Sequence, residues 1–295
     1  MAEAAEAAAS PAASFRKAPN ARLRVLPFVI LLGAFVVVAL VPQLLAPHDP
    51  YATDLALRLL PPGTREGGQT FWLGTDSLGR DQLSRVLWGA RVSLVVSVAA
   101  VLVAGTTGSA LGILAAYFGG WLGALAMRLA DLVLSIPFFL LAILTVVVLG
   151  PSLLNLIIVL GLVRWPRYAR VAFGQTLDTK NRDFVRATRA IGAGPWRLIT
   201  RHILPDVLPA LIVVATLEVG LMVLYEAALS FIGLGVQPPT ASWGSMLSEG
   251  QKYVQSAWWL ATFPGLALFL VVVSVNLIGD FARDLLDPKE RSIRT

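Results

Sequence analysis

The chain alternates between long apolar runs and short clusters of charge. No Asp, Glu, Lys or Arg falls between Arg24 and Asp49, between Arg91 and Arg128, between Asp131 and Arg164, or between Lys252 and Asp280. Each gap holds at least one apolar run of about 20 residues, enough to cross roughly 30 Å of hydrocarbon at about 1.5 Å per residue. The pattern predicts an all-α integral membrane protein with six spans: about Val25–Leu45, Val92–Tyr117, Leu122–Leu149, Ser152–Ala172, Val207–Phe231 and Trp258–Phe281. Gly119 and Gly120 close the second. The fourth has the shortest clean run, because Arg164, Arg167 and Arg170 occupy its second half. Long arginine side chains reach for the interface, so this helix is expected to continue out of the membrane. The short alternating segments of a transmembrane β-barrel are absent.

Between the spans the chain divides into a low-complexity, Ala-rich amino-terminal segment (1–24), a first span (25–46), a long outer loop (47–90), a five-span core (91–281) and a tail (282–295). The amino-terminal segment is expected to be disordered to about Phe15. Its first charges are acidic and the apolar run after it is long, unlike a cleaved secretory leader. A second outer segment, 233–257, carries "GLGVQPPTASWGSMLSEGQ", whose Gly, Pro and Trp predict a packed re-entrant or interfacial turn.

Composition agrees with a lipid solvent. Mean hydropathy is +0.72, 56% of residues are hydrophobic and only 14% charged, less charge than a soluble domain carries. There is no cysteine, which excludes disulfides, and the two histidines, His48 and His202, are far apart, which argues against a zinc site. The net charge of +6 is best explained by basic loops on one side of the membrane, with no need of nucleic acid. With both termini in the cytoplasm, 18 of the 24 Lys and Arg residues fall inside and 6 outside. That asymmetry predicts an N-in, C-in arrangement.

The segment 181–205, "NRDFVRATRAIGAGPWRLITRHILP", lies in the largest inner loop. Arg182, Arg186 and Arg189 fall on one helical face, and Phe184, Ala187 and Ile191 on another. Asn181 is the expected N-cap, with Asp183 in the first turn. Gly192 and Gly194 are expected to end the helix with left-handed or flexible backbone, and Pro195 to open a second one ahead of Trp196. Two readings stay open on physics alone. One is a basic loop whose apolar face rests on lipid and fixes topology. The other is a docking helix seated in the groove of a soluble partner.

This segment resembles the cytoplasmic loop of ATP-binding-cassette (ABC) importer permeases, whose pattern is E-A-A, three residues, G, nine residues, I-x-L-P. Ala187, Gly192, Leu204 and Pro205 match at the family's spacing, while Arg186, Thr188 and His202 depart from it. "LGTDSLGRDQLSRVLWGARVSL" (73–94), "LSFIGLGVQPPTASWGSML" (229–247) and "NLIGDFARDLLDP" (276–288) resemble the peptide/nickel branch, and within it the C-type subunits of dipeptide and oligopeptide importers. "QSAWWLATFPGLALFL" (255–270) is most similar to the dipeptide permeases. The resemblance runs from about Val25 to Pro288.

The resemblance implies a type I ABC importer fold and a non-catalytic subunit of the bacterial inner membrane, forming half of a path for dipeptides or short peptides. Nickel chelates, glutathione and other small solutes share the architecture. The implied partners are a homologous second permease, two cytosolic ATPases that hold ATP and magnesium, and a periplasmic binding protein. No cofactor is implied for this chain, and no G-x-x-x-x-G-K-[ST] loop occurs in it. It further implies that 184–191 is a coupling helix on one ATPase. Arg182, Asp183, Phe184, Arg186, Ala187, Arg189, Ile191, Gly192 and Trp196 then form the interface, with Pro205 as the link to the fifth span.

Charges inside spans must face protein or water. Glu218, mid-way along the fifth span, is a candidate for the translocation path or for pairing with a partner subunit. Glu226 is a weaker candidate for the path and a better one for packing near the outer gate. Asp76, Arg80, Asp81 and Arg85 are expected to form a local ion-pair network at the outer edge. Asp280, Arg283, Asp284 and Asp287 are expected to pair at the inner end of the sixth span. An ion-coupled secondary transporter would also explain buried glutamates, but it usually shows two related halves, and no internal repeat is visible. The HExxH motif and the paired Ser or Asp of an intramembrane protease are missing.

Overall fold

The computed structural model describes residues 21–286. Nearly all regular structure is helical. α1 (Ala21–Leu40) and the short α2 (Pro42–Leu45) lead into the outer loop, where strands β1 (Thr64–Glu66) and β2 (Gln69–Phe71) form an antiparallel hairpin. Then come α3 (Gln82–Phe118), α4 (Gly120–Ser135), α5 (Phe138–Leu149), α6 (Leu153–Lys180), α7 (Asp183–Ala190), α8 (Pro195–Leu198), α9 (Leu204–Phe231), α10 (Trp243–Gln251) and α11 (Trp259–Leu286). Three continuous helical stretches are long and apolar enough to cross a membrane: Gln82–Phe118, Pro195–Phe231 and Trp259–Asp284. The bent pair α4–α5 makes a fourth if taken as one span.

α3 and α6 pack most closely, and glycine is the reason. A Cβ on Gly108 would lie 2.3 Å from the Trp165 carbonyl oxygen, and one on Gly112 2.3 Å from that of Ala169. The two glycines are one turn apart, so a single bare strip of α3 meets the backbone of α6. In lipid, where apolar burial drives helices together only weakly, such small-residue contact is a main source of association. Around it cluster Val96, Ala100, Ala104, Val159, Leu160 and Leu229, all buried. A second cluster joins α1, α3, α9, α10 and α11 through Ala39, Leu94, Val223, Trp243 and Val271. Outward, the helices expose Leu102, Leu140, Val148 and Phe269. Apolar exposure on that scale suits lipid and not water.

Three predicted spans change their outlines. The third breaks at Ile136–Pro137 into α4 and α5, bent by 95°. Pro137 donates no N–H and pushes the residue before it out of helical backbone, and Ile136 is extended at φ −88°, ψ 129°. The fourth runs on to Lys180, with Ser152 as N-cap accepting from the Asn155 amide at 3.1 Å. The fifth is continuous from Pro195 through a π-helical turn at Ile199–Ile203. A proline ring clashes with the carbonyl four residues back, and a wide turn is one way a helix absorbs it. Pro205 sits just beyond that turn.

The segments 46–81 and 233–257 fold against the bundle. Arg80 Nε lies 2.6 Å from Asp76 Oδ2, Arg85 Nε 3.3 Å from the same atom, and both guanidiniums reach Glu249 on α10 at 3.2 Å. The expected network therefore forms, with Glu249 as a member the sequence did not suggest. Asp81 is not in it. Asp81 caps α3, accepting from the Ser84 amide at 2.8 Å, and faces His48 at 3.5 Å. The 233–257 segment is packed as expected: Trp243 is fully buried and its indole N–H donates to the Val86 carbonyl at 3.0 Å. At the inner end of α11, no ion pair joins Asp280, Arg283 and Asp284 among the described residues. Asp287, the amino-terminal stretch 1–20 and the tail beyond Leu286 lie outside the described residues.

Candidate functional site

The 181–205 loop folds as a short helix held at both ends. Asn181 does not start α7. It caps the end of α6, and Arg182, extended at φ −67°, ψ 146°, takes the N-cap position without a side-chain cap bond. Arg182 cannot accept from the first amides, so its guanidinium is used sideways, reaching Asp178 at 2.8 Å and Asp206 at 3.1 Å. Thr179 donates to the other oxygen of Asp206 at 2.5 Å. The first turn of α9 is thereby tied to the end of α6. At the far end, the Gly192 amide donates to Arg189 O and the Ala193 amide to Thr188 O, with Gly192 at φ +92°. This is the Schellman closure, and its left-handed position favours glycine. Gly194 is extended at φ −69°, ψ 161°, so only Gly192 takes the left-handed conformation.

α7 buries only Val185. Phe184 is 47% exposed, Ile191 85% and Trp196 65%. Ala187, Arg186, Asp183 and Arg189 are exposed as well. Arg189 also lies over the Tyr117 ring at 5.5 Å, and Lys180 donates to Ala116 O at 2.6 Å. The apolar face expected to bind something therefore stays bare, and the residue that anchors the helix is one the periodicity argument passed over.

Glu218 and Glu226 occupy different settings. Glu218 is fully buried on α9. Arg164 of α6 engages both of its oxygens, at 2.9 and 2.6 Å, and Arg167 approaches at 3.1 Å. The partner is thus supplied by the same chain. Arg164 also lies over the Tyr225 ring at 5.6 Å, and Tyr225 stacks on Phe138 at 3.8 Å. One turn inward, Arg170 pairs with Asp131 of α4. Glu226, also fully buried, accepts from Ser93 of α3 and from Ser230, each at 2.7 Å. The Ser93 oxygen lies 3.4 Å from the Trp243 amide and that of Ser230 accepts from Val236 at 3.1 Å. Glu226 is therefore a node joining α3, α9 and the 233–257 segment. Among the described residues no group of three His, Asp or Glu is spaced to hold a metal ion.

Residues 108–292 match the family model for the binding-protein-dependent transport system inner membrane component. The chain belongs to this family. It is a permease component of a binding-protein-dependent transport system. Several permeases are similar over most of their length. A probable D,D-dipeptide transport system permease protein of Escherichia coli (strain K12) is 46% identical over 245 residues, 83% of this chain and 80% of its own. A di/tripeptide permease of Pseudomonas aeruginosa (strain UCBPP-PA14) is 45% identical over 83% of this chain and 81% of its own. A nickel permease of E. coli (strain K12) is 41% identical over 88% and 92%. The solved inward-facing MetNI methionine ABC transporter has a similar fold, with a TM-score of 0.55 at 21% identity, over 69% of this chain and 96% of its own.

Seen as a permease, the chain had further functional residues within reach of sequence reasoning. Arg164, Arg167 and Arg170 repeat every three residues, so they share one face of α6. Three arginines on one face of a membrane helix demand carboxylates, and Glu218 and Asp131 are those carboxylates. Asp206 carried no comparable signal, because it reads as an ordinary acidic residue in a first helical turn.

Proposed function

We propose that this permease forms half of the membrane path of an ATP-driven importer of dipeptides or short peptides in a bacterial inner membrane. The chain crosses the membrane six times with both termini in the cytoplasm. α1, α3, the bent pair α4–α5, α6, α9 and α11 are the six spans. A homologous permease completes the path, two cytosolic ATPases bind and hydrolyse ATP with magnesium, and a binding protein delivers cargo to the outer face. Peptide transport systems are named for several of the relatives, which favours peptide cargo over the nickel and glutathione named for others.

One observation carries the mechanism. α7 presents Phe184 and Ile191 to solvent while Arg182 and Thr179 lock its base to Asp206 of α9. A helix with a bare apolar face and a rigid root is suited to transmit movement. Seated in a groove of an ATPase, it would move when the ATPases close. The unbroken helix Pro195–Phe231 would carry that movement through Pro205 to the depth of Glu218. The departure at Arg186, where the family pattern has Glu, leaves the glycine-closed shape intact and changes the charge offered to the ATPase.

The test is uptake of labelled dipeptide by the reconstituted complex with its binding protein in liposomes. Wild type should import on ATP. Gly192→Pro with Phe184→Ala should assemble yet lose import and substrate-stimulated hydrolysis together. Normal import by that variant, or wild-type transport on an ion gradient without ATP, would refute the coupling role.

A further inference from the structure

The charge cluster on α6 and α9 contains one more guanidinium than Glu218 needs. Arg164 alone takes both carboxylate oxygens of Glu218, at 2.6 and 2.9 Å. That bidentate fork is the strongest pairing arginine makes with a carboxylate, and it neutralises the buried charge. Arg167 is then surplus. Its Nε lies 3.1 Å from Glu218 Oε1. Its two Nη atoms have no hydrogen-bond partner among the described residues, and its side chain is 49% exposed. Two positive charges share one negative charge, so the site carries a net charge of about +1 near the middle of two long helices.

The surroundings point the same way. Arg164, Arg167 and Arg170 follow one another along a single face of α6, while Trp165, Tyr168 and Ala169 meet the glycines of α3. A half-exposed guanidinium at this depth does not face lipid, so that face of α6 borders water or another protein surface. Arg170 already has Asp131. Arg167 alone presents an unused fork, with the aromatic wall of Tyr225, Phe138 and Phe139 beside its neighbour Arg164.

We infer that Arg167 is a specificity-determining contact of the path and takes the α-carboxylate of a transported peptide. The inference rests on the peptide-importer reading above. Glu218 and Arg164 are positioning residues: their pairing holds the α6–α9 junction in place, and Arg167 projects its Nη atoms from it. A passing carboxylate finds two donors and one uncompensated charge, enough for recognition and weak enough for release.

The test needs two measurements on the whole transporter. The first is saturation-transfer NMR on the permease–ATPase complex without its binding protein, with dialanine and dialanine C-terminal amide as probes. Wild type should bind the free acid about tenfold more tightly than the amide, the range of one charge-assisted contact. Arg167→Gln should abolish that preference and Arg167→Lys, which keeps the charge and loses the fork, should retain part of it. Equal binding of acid and amide to wild type overturns the proposal without any variant. So does binding of neither, or an acid preference that survives in Arg167→Gln, which would mean that Arg167 pairs with the partner subunit instead. The second measurement is dialanine uptake with the binding protein present. If wild type imports no dialanine, the peptide reading itself fails. If it imports and the acid preference is missing, only the role of Arg167 fails.

Discussion

Glu218 shows how one buried charge organises its neighbours. Removing its charge alone leaves Arg164 and Arg167 facing each other without a counter-ion. Breaking a buried pair from one side costs roughly 3 kcal/mol or more; the half-exposed Arg167 places this case at the low end. Glu218→Gln should therefore lower the midpoint of thermal unfolding in detergent by several degrees, read by loss of the monodisperse chromatographic peak. Arg164→Gln combined with Glu218→Gln should recover much of the loss, because the pair is then removed from both sides. Additive losses in the double variant would mean that the two residues are not coupled. The sequence made Glu218 visible as a costly intramembrane charge but left its partner open between cargo and a second subunit, and did not weigh this chain's own arginines. Choosing among them required the relative rotation of α6 and α9, which a one-dimensional pattern does not carry. Val185 was hidden for a related reason. Phe184, Ala187 and Ile191 form the better apolar stripe, yet packing against the base of the loop selected the single side chain that points inward.

At the scale of elements, hydropathy located the helices and backbone chemistry set their outlines. The run 122–149 reads as one apolar span because hydropathy is blind to a missing N–H, and Pro137 turns it through 95°. The α3–α6 contact was legible in neither hydropathy nor charge, since glycine registers as mildly neutral on both. Its weight is testable. Gly108→Leu drives a side chain into the Trp165 carbonyl, where even a Cβ would stand at 2.3 Å. Because the obstacle is backbone, the cost should exceed the ~1–3 kcal/mol of ordinary overpacking. Gly33→Leu on α1 is the control, for a Cβ there meets nothing within 4 Å. The Gly108 variant should be degraded or aggregate on extraction, while the Gly33 variant should behave as wild type in the same chromatographic assay. Equal behaviour of the two would mean that α3 and α6 do not owe their packing to the glycine strip.

At the scale of the molecule, the two chemically distinct ends are held apart by α3. Its first residues carry Arg85 and the outer network with Glu249. Its last turn carries Ala116 and Tyr117, which meet Lys180 and Arg189 of the inner loop. A helix of 37 residues is about 55 Å long, more than a membrane's hydrocarbon thickness, so the proposed topology has the hairpin β1–β2 and α7 emerge on opposite sides. Charge predicts which side is which: in the proposed topology the α7 end gathers most of the Lys and Arg residues, and such loops tend to stay in the cytoplasm. The absence of cysteine from the chain makes this directly measurable, because each introduced thiol is the sole target of a maleimide. In spheroplasts, Glu66→Cys and Lys252→Cys should react with a membrane-impermeant maleimide. Gln175→Cys and Ser292→Cys should react only after the membrane is opened. Reaction of Gln175→Cys in sealed spheroplasts would invert the topology and place α7 where no ATPase can reach it, and the coupling mechanism would fall with it. Protection of Ser292→Cys together with reaction of Glu66→Cys requires an odd number of crossings between them. The five crossings from α3 to α11, with α4–α5 as one bent span and α6 as another, satisfy that parity; counting only the three continuous apolar stretches satisfies it too. Gln175→Cys, near the end of α6, is protected under either count, because α4–α5 and α6 contribute two crossings or none. Pro151→Cys, between α5 and α6, separates the two counts: reaction in sealed spheroplasts requires α4–α5 to cross, and protection leaves only the three continuous stretches.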